Sequence, residues 1–326
     1  MRILKSYPLL NLLNSYFKVS SKAFSHTSMP FKPLHPWFIT GFLDAESSFM
    51  IFINKNDKYK TGWTVKPGFS INLHKKDKVL LEKIKNYFSV GNIYEHSKDM
   101  LIYQVQSIKD LPAIINHFDK YPLITQKRGD FELFKQSVEL IQIKEHLTEQ
   151  GLYKILAIKS SINRGLSDEL KVAFANIIPV DRPSAILDYK IINPNWLAGF
   201  TSGEGCFMII IMNSSTHRLG FQVLLRFMII QHSRDDQLMR SLVEYLDCGN
   251  VYRYKNAVEL RITKIDDLND KVIPFFSKYP IQGVKGLDFI DFCKAVKIIN
   301  KKDHLTKDGL EKILILKQGM NRGRTE

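Results

Sequence analysis

The 326-residue chain lacks the means to cross a membrane as a helix or to be knitted by disulfides. No run free of Asp, Glu, Lys and Arg exceeds 13 residues, whereas a spanning helix needs about 20. Its three cysteines, Cys206, Cys248 and Cys293, are odd in number and have no metal-ligand spacing. That argues against a disulfide framework or a zinc site and reads as reduced core thiols. Acid is scarce as well: 33 Asp and Glu stand against 47 Lys and Arg, a net charge of +14. A chain that is 44% hydrophobic is no disordered polycation and can bury the cores of two ordinary domains. Such an excess of positive charge on a foldable chain points to a polyanion, nucleic acid ahead of an acidic membrane surface.

The first acidic residue is Asp44, preceded by Arg2, Lys5, Lys18, Lys22 and Lys32 among six serines and many apolar residues. This stretch resembles an organellar transit segment; the other reading is a read-through leader or N-terminal arm. On either, residues 1–34 are expected outside the fold.

An internal repeat organises the rest. Residues 36–168 recur as 194–326 at an offset of 158, with 43 of 133 positions identical. Pro36, Gly41, Phe42, Glu46, Phe49, Met50 and Ile51 match Pro194, Gly199, Phe200, Glu204, Phe207, Met208 and Ile209. Gly91-Asn92, Lys120-Tyr121-Pro122, His146-Leu147-Thr148 and Asn163-Arg164-Gly165 recur likewise, with a one-residue slip near residues 108–111 that is compensated before the Lys-Tyr-Pro block. Two copies of a unit this long make a duplicated domain, not a solenoid. The expected layout is domain 1 over 35–165, a linker over 166–193 and domain 2 over 194–326. Pro179 and Pro183 suit an extended connector.

Within each copy the pattern reads helix, two strands, helix, two strands, helices. Pro36 and Pro194 open short helices through Ala45 and Gly203. β-rich runs at 49–53 and 207–211 lead to second strands near 63–73 and 220–231. Asp77 and Asp235 read as N-caps of amphipathic helices, and Thr148 and Thr306 as caps of later ones. Each copy is therefore α+β, a four-stranded antiparallel sheet with one covered face and one free to meet a partner.

Gly41 and Ala45 are four apart, as are Gly199 and Gly203. Small residues at that spacing share a helix face and let two backbones approach. Glu46 and Glu204 would then stand together at two helix C-termini, where dipole and like charge both oppose ionisation. A hard divalent cation between them would satisfy both acids, as in phosphoryl-transfer sites.

The segments Phe38-Ile39-Thr40-Gly41-Phe42-Leu43-Asp44-Ala45-Glu46 and Trp196-Leu197-Ala198-Gly199-Phe200-Thr201-Ser202-Gly203-Glu204 resemble the two signature motifs of the LAGLIDADG homing endonucleases, of the single-chain, double-motif type encoded in fungal mitochondrial introns. The resemblance covers 36–326. It implies two pseudo-symmetric αββαββα domains forming a saddle of antiparallel sheets on double-stranded DNA with a long, pseudo-symmetric target, the protein acting as a monomeric pseudo-dimer. It implies double-strand hydrolysis across the minor groove with 3′ overhangs, dependent on Mg2+ or Mn2+, with Ca2+ as a non-cleaving substitute, and a mitochondrial location.

Carried over residue by residue, the resemblance makes Glu46 and Glu204 the catalytic metal-binding acids, with Ala45 and Gly203 beside them as metal ligands. Lys127 and Lys285 become pocket lysines that stabilise developing charge. Gln231 becomes a water-positioning residue, present once because its partner is Leu73. Strand alternation nominates Asn54, Lys58, Lys60, Lys66, Ser70 and Asn72 in one copy, and Asn213, Arg218, Gln222, Arg226 and Met228 in the other, as DNA contacts. His74 and His232 read as structural or phosphate-contacting rather than metal ligands. Ser47 replaces the glycine kept at Gly205 and is expected to slow cleavage on its side through lost backbone freedom. The alternative function is an intron RNA maturase on the same scaffold, with or without cleavage.

Overall fold

The structure, a computed structural model, describes residues 33–183 and 193–324. Nearly all of the expected leader, and residues 184–192 of the connector, lie outside them. The first repeat runs α1 (Pro36–Glu46), β1 (Ser47–Lys55), β2 (Trp63–His74), α2 (Lys78–Phe88), β3 (Asn92–Ser97), β4 (Met100–Val105), α3 (Leu111–Lys120), α4 (Lys127–Gln142) and α5 (Glu149–Ser161). A short helix α6 (Asp168–Ala173) follows. The second repeat runs α7 (Pro194–Glu204), β5 (Gly205–Asn213), β6 (Phe221–His232), α8 (Asp236–Leu246), β7 (Asn250–Arg253), β8 (Ala257–Ile262), α9 (Ile273–Lys278), α10 (Val284–Asn300) and α11 (Lys307–Gln318). Each repeat folds one antiparallel four-stranded sheet, in the orders β1-β2-β4-β3 and β5-β6-β8-β7.

The same apolar positions drive both halves. Phe49, Ile51 and Ile53 on β1 face Val65, Phe69, Ile71 and Leu73 on β2, all buried beneath the helices. At the centre, the Phe49 ring lies 5.3–5.7 Å from those of Phe69, Phe118, Phe131 and Phe134. Their counterparts at offset 158 repeat the cluster: Phe207 lies 4.9–6.0 Å from Phe227, Phe276, Phe289 and Phe292. Each buried ring contributes about 1.5–3 kcal/mol of transfer free energy, and the residues at the cluster's five positions are identical in the two copies. Asn163 and Asn321 pin the first strand of each half through Nδ2 to the carbonyls of Phe49 and Phe207. Thr148 and Thr306 cap α5 and α11 by accepting from Gly151 and Gly309 N–H.

The one-residue slip has two physical ends. The β3–β4 hairpin carries a bulge between Glu95 and Ser97 that β7–β8 lacks, so the first repeat has one residue more there. The second repeat regains it in a π turn over Leu268–Val272, ahead of α9, where α3 is unbroken.

The connector departs from an extended tether. Ser167 accepts from Leu170 N–H and starts α6, and Leu166, Phe174, Ile177 and Val180 pack on the first core. Burying these apolar side chains holds the chain down where proline content alone suggested reach. Arg182 then pairs with Asp130 at 2.6 Å and donates to the Gln126 carbonyl at 2.8 Å. The two cores also exchange side chains: Ala198 of α7 belongs to the first cluster, and Ile124 of the first repeat belongs to the second.

Candidate active site and nucleic-acid interface

α1 and α7 cross at backbone contact distance. A methyl group at Gly41 would sit 1.9 Å from the Trp196 carbonyl oxygen, and one at Gly199 would sit 2.0 Å from that of Phe38. One at Gly203 would lie 2.3 Å from Ala45 Cβ and 3.3 Å from Glu46 Oε1. Only hydrogen fits at these positions, so the small-residue faces of Gly41, Ala45, Gly199 and Gly203 form the crossing and carry Glu46 and Glu204 to the same end of it.

There the acids meet two lysines and an amide. Burial raises the pKa of Glu46, and the charge of Glu204 raises it further, while Lys285 and Lys127 oppose both. Burial likewise raises Glu204, countered first by a hydrogen bond from Gln231 and then by Lys285 and Lys127. Desolvation pulls both ammonium groups below the usual lysine range, against the attraction of the two glutamates. Lys127 Nζ donates to the carbonyls of Leu43 and Ala45, each at 3.2 Å, and Lys285 Nζ donates to that of Gly203. The structure thus brings Glu46, Glu204, Lys127, Lys285 and Gln231 to one place, with the Ala45 and Gly203 carbonyls already accepting from lysine.

Three features of this centre were not legible from motifs. Asp44, buried, accepts from Ile124 N–H (2.9 Å), Thr125 N–H (3.2 Å), Thr125 Oγ1 (2.7 Å) and Trp196 Nε1 (2.7 Å). Burial lifts its pKa to about 6 in spite of these donors. Its counterpart Ser202 donates to the Ala198 carbonyl and, among the described residues, accepts from Gln282 N–H. Second, Asp77 and Asp235 occupy cap positions without capping their own helices: Asp77 accepts from Val284 N–H at 2.7 Å and Asp235 from Gln126 N–H at 2.8 Å, each in the opposite repeat. Their shared offset was the available signal, masked by the helix pattern that follows. His74 and His232 take a capping role instead, accepting through Nδ1 from Lys76 and Arg234 N–H. Third, Ser47 has an extended backbone (φ −85°, ψ 160°) and donates to the Leu43 carbonyl at 2.6 Å. Nothing there requires glycine, so the expected loss of backbone freedom does not apply.

The open sheet faces carry some of the nominated DNA contacts and not others. Asn54, Lys66 and Asn72 project from the first sheet and are exposed, and Lys58 and Lys60 lie exposed in the β1–β2 turn. Ser70 shares that open face but is only 1% exposed. On the second sheet Gln222, Arg226 and Met228 alternate away from the core-facing Leu225, Phe227 and Ile229. Arg226 Nε is buried with no acceptor among the described residues. Asn213 shares the parity of Phe207, Ile209 and Ile211, which the pleat sends to the covered side, but at the end of β5 it is exposed. Arg218 lies exposed in the β5–β6 turn, its guanidinium donating to the Leu305 carbonyl at 3.1 Å. An unnominated group occupies the same open face: Arg261 pairs with Glu259 at 2.6 Å and stacks on Tyr252 at 4.3 Å.

The model of the LAGLIDADG endonuclease family matches residues 39–138 and again 197–296. The chain belongs to the LAGLIDADG endonuclease family. Family relatives include probable intron-encoded endonuclease 2 of Neurospora crassa, 42% identical over 332 residues, 98% of this chain and 72% of that protein. Probable intron-encoded endonuclease 3 of the same organism is 42% identical over 87% of this chain, which spans 54% of its length. An uncharacterized protein in ND4 intron 1 of Podospora anserina is 47% identical over 139 residues, 42% of this chain and 31% of that protein. Among solved family structures, the I-SmaMI LAGLIDADG homing endonuclease bound to cleaved DNA is 46% identical at a TM-score of 0.87, with 90% of this chain and 98% of that one covered. I-SmaMI bound to an uncleaved DNA target in the presence of calcium ions aligns at 0.86 and 46% identity, over 89% of this chain and all of that one. No helix among the described residues is long and apolar enough to cross a membrane.

Proposed function

We propose that the chain is a site-specific homing endonuclease that cuts both strands of a long, pseudo-symmetric DNA target across the minor groove, leaving 3′ overhangs, and so promotes homing of its intron in the mitochondrion. The observation that carries this reading is the convergence of Glu46, Glu204, Lys127, Lys285 and Gln231, drawn from both repeats, at one end of a helix pair. DNA-bound family members of the same fold, and a relative named for an ND4 intron, support the partner and the location.

The donor set fits a hard divalent cation, Mg2+ or Mn2+, with Ca2+ as a non-cleaving substitute. Glu46 and Glu204 supply carboxylate oxygens, and the Ala45 and Gly203 carbonyls keep a second lone pair beyond those given to lysine. No cluster of three His, Cys, Asp or Glu side chains suited to a metal occurs among the described residues, so phosphate oxygens and water would complete the shell. Bound there, the ion would activate water and polarise the phosphoryl group. Lys127 and Lys285 place positive charge where the phosphate gains negative charge. Gln231 holds the Glu204 carboxylate in orientation. Asn54, Lys58, Lys60, Lys66 and Asn72, with Gln222, Arg226 and Met228, would contact the duplex.

The test is incubation with the duplex exon junction at which the encoding intron is inserted, with Mg2+. Wild type should cut both strands, EDTA should abolish cutting, and Glu46→Gln or Glu204→Gln should slow it by about 10³-fold, the scale of losing a key electrostatic group. Failure of wild type to cut, or undiminished cutting by Glu204→Gln, would overturn the assignment. Lys66→Ala and Arg226→Ala should weaken binding and reduce its salt slope by about 1 each. Intron splicing that required the protein but survived loss of both glutamates would instead identify the maturase alternative.

A further inference from the structure

Each lysine stands one residue past an amide held from the other repeat. Gln126 N–H, just ahead of Lys127, donates to Asp235 Oδ1 at 2.8 Å. Val284 N–H, just ahead of Lys285, donates to Asp77 Oδ1 at 2.7 Å. Both pairs obey the 158-residue offset, so this is one reciprocal contact made twice, as a two-fold interface requires. These amides sit at the starts of α4 and α10, where N–H groups have no partner within their own helix, and a carboxylate there fixes the helix start from outside. The approach on one side is close: a methyl at Gly283 (φ +72°) would lie 2.3 Å from Asp77 Oδ1. A left-handed glycine is needed both for the turn and for the contact.

The contacts lie within electrostatic reach of the lysines they precede. Asp77 acts on Lys285 and on Glu46, and the charge of Lys127 is felt by Asp235. The rest of each lysine loop is tied from elsewhere, through Asp44 to Ile124 and Thr125 on one side and through Ser202 to Gln282 on the other.

We infer that Asp77 and Asp235 are positioning residues that act across the junction, Asp77 setting Lys285 and Asp235 setting Lys127, so that each repeat aligns the lysine of its partner. The inference rests on the endonuclease reading. It makes the two strand cuts interdependent: damage in one repeat should appear on the strand served by the other.

The experiment uses the full-length protein, Mg2+ and the exon-junction duplex carrying a different fluorophore on each strand. Lys127→Met and Lys285→Met first identify which strand each lysine serves. Asp77→Ala should then slow the Lys285 strand about tenfold relative to the other, and Asp235→Ala should do the same to the Lys127 strand. The ratio of strand rates is internal to each sample, so a fraction of unfolded protein lowers both rates and leaves the ratio unmoved. Asp77→Asn and Asp235→Asn, which keep an acceptor oxygen, should return the ratio to within about threefold of wild type. Equal slowing of both strands by the alanine variants, or slowing confined to the strand of the lysine in the same repeat, would overturn the inference. Wild type that cuts neither strand would instead remove the endonuclease reading on which it stands.

Discussion

The loop before Lys127 is held by more groups than the loop before Lys285. Residues 124–126 give three hydrogen bonds to Asp44 and one to Asp235, and the Gln126 carbonyl accepts another from Arg182 of the connector. The equivalent stretch of the second repeat is held by a serine hydroxyl at Gln282 and by Asp77 at Val284. The acids differ in the opposite sense. Glu204 has an amide partner in Gln231, whereas the matching position of the first repeat is the buried Leu73. The phenylalanine clusters are superimposable by number, so the duplication has kept its core and changed the polar atoms around the two acids. Core positions tolerate little volume change at high packing density, while hydrogen-bonded atoms can be exchanged whenever donors and acceptors still match.

The comparison can be broken most severely where the repeats are most alike. Gly41→Ala and Gly199→Ala should each destabilise the fold by about 3 kcal/mol or more, at the upper end of overpacking costs because a main-chain carbonyl is in the way. Denaturant unfolding should give both variants similar losses, and a wild-type midpoint for either would show that the helix crossing is not reciprocal.

Next in size is the pair at 44 and 202. Asp44→Ala strands four buried donors and should cost about 3 kcal/mol, against about 1 for Ser202→Ala. The first loss should depend on pH. The folded-state pKa of Asp44, about 6, exceeds its ordinary 3.8, so the folded protein binds this proton more readily than the unfolded chain. Wild-type stability from this group therefore declines as pH rises from about 4 through 6. The gap between wild type and Asp44→Ala should be wider at pH 5 than at pH 7.5, and the Ser202→Ala gap should not move; a widening gap at higher pH would contradict the burial assigned to Asp44.

A smaller, functional difference follows from Gln231. Gln231→Leu makes the second repeat resemble the first and should slow one strand about tenfold in a strand-resolved cleavage assay, while equal rates before and after would show that the amide holds Glu204 without consequence. Smallest is Ser47→Gly. It removes one hydrogen bond to the Leu43 carbonyl and should cost about 1 kcal/mol in thermal unfolding with no gain in cutting on that side; faster cutting would restore the backbone argument that the extended φ at this residue removes.

Much of the fold was present in the one-dimensional pattern. Offset identities located both repeats, the strands and helices followed from period and punctuation, and the small residues at 41, 45, 199 and 203 marked a face fit for close crossing. The slip was visible as a gap but not as a bulge in one hairpin and a π turn before α9, because insertions of one residue have the same symbol whichever element absorbs them. Alternation placed Lys66, Asn72 and Arg226 on open faces. It did not reveal that Asn213 takes the parity of the covered side at the exposed end of β5, or that Arg218 donates to the Leu305 carbonyl.

The amino-acid order by itself determined what is local or repeated: two cores built from the same phenylalanines, two motif helices without bulk on one side, and a glutamate at the end of each. Tertiary structure alone decided how the halves depend on each other. Asp77 and Asp235 look like caps of their own helices because a carboxylate before a helix has one obvious local partner, yet their hydrogen bonds run to amides 207 and 109 residues away. Backbone N–H groups carry no residue identity, so no pattern of side chains announces which distant amide a carboxylate will reach until the two backbones have been brought together at the glycines.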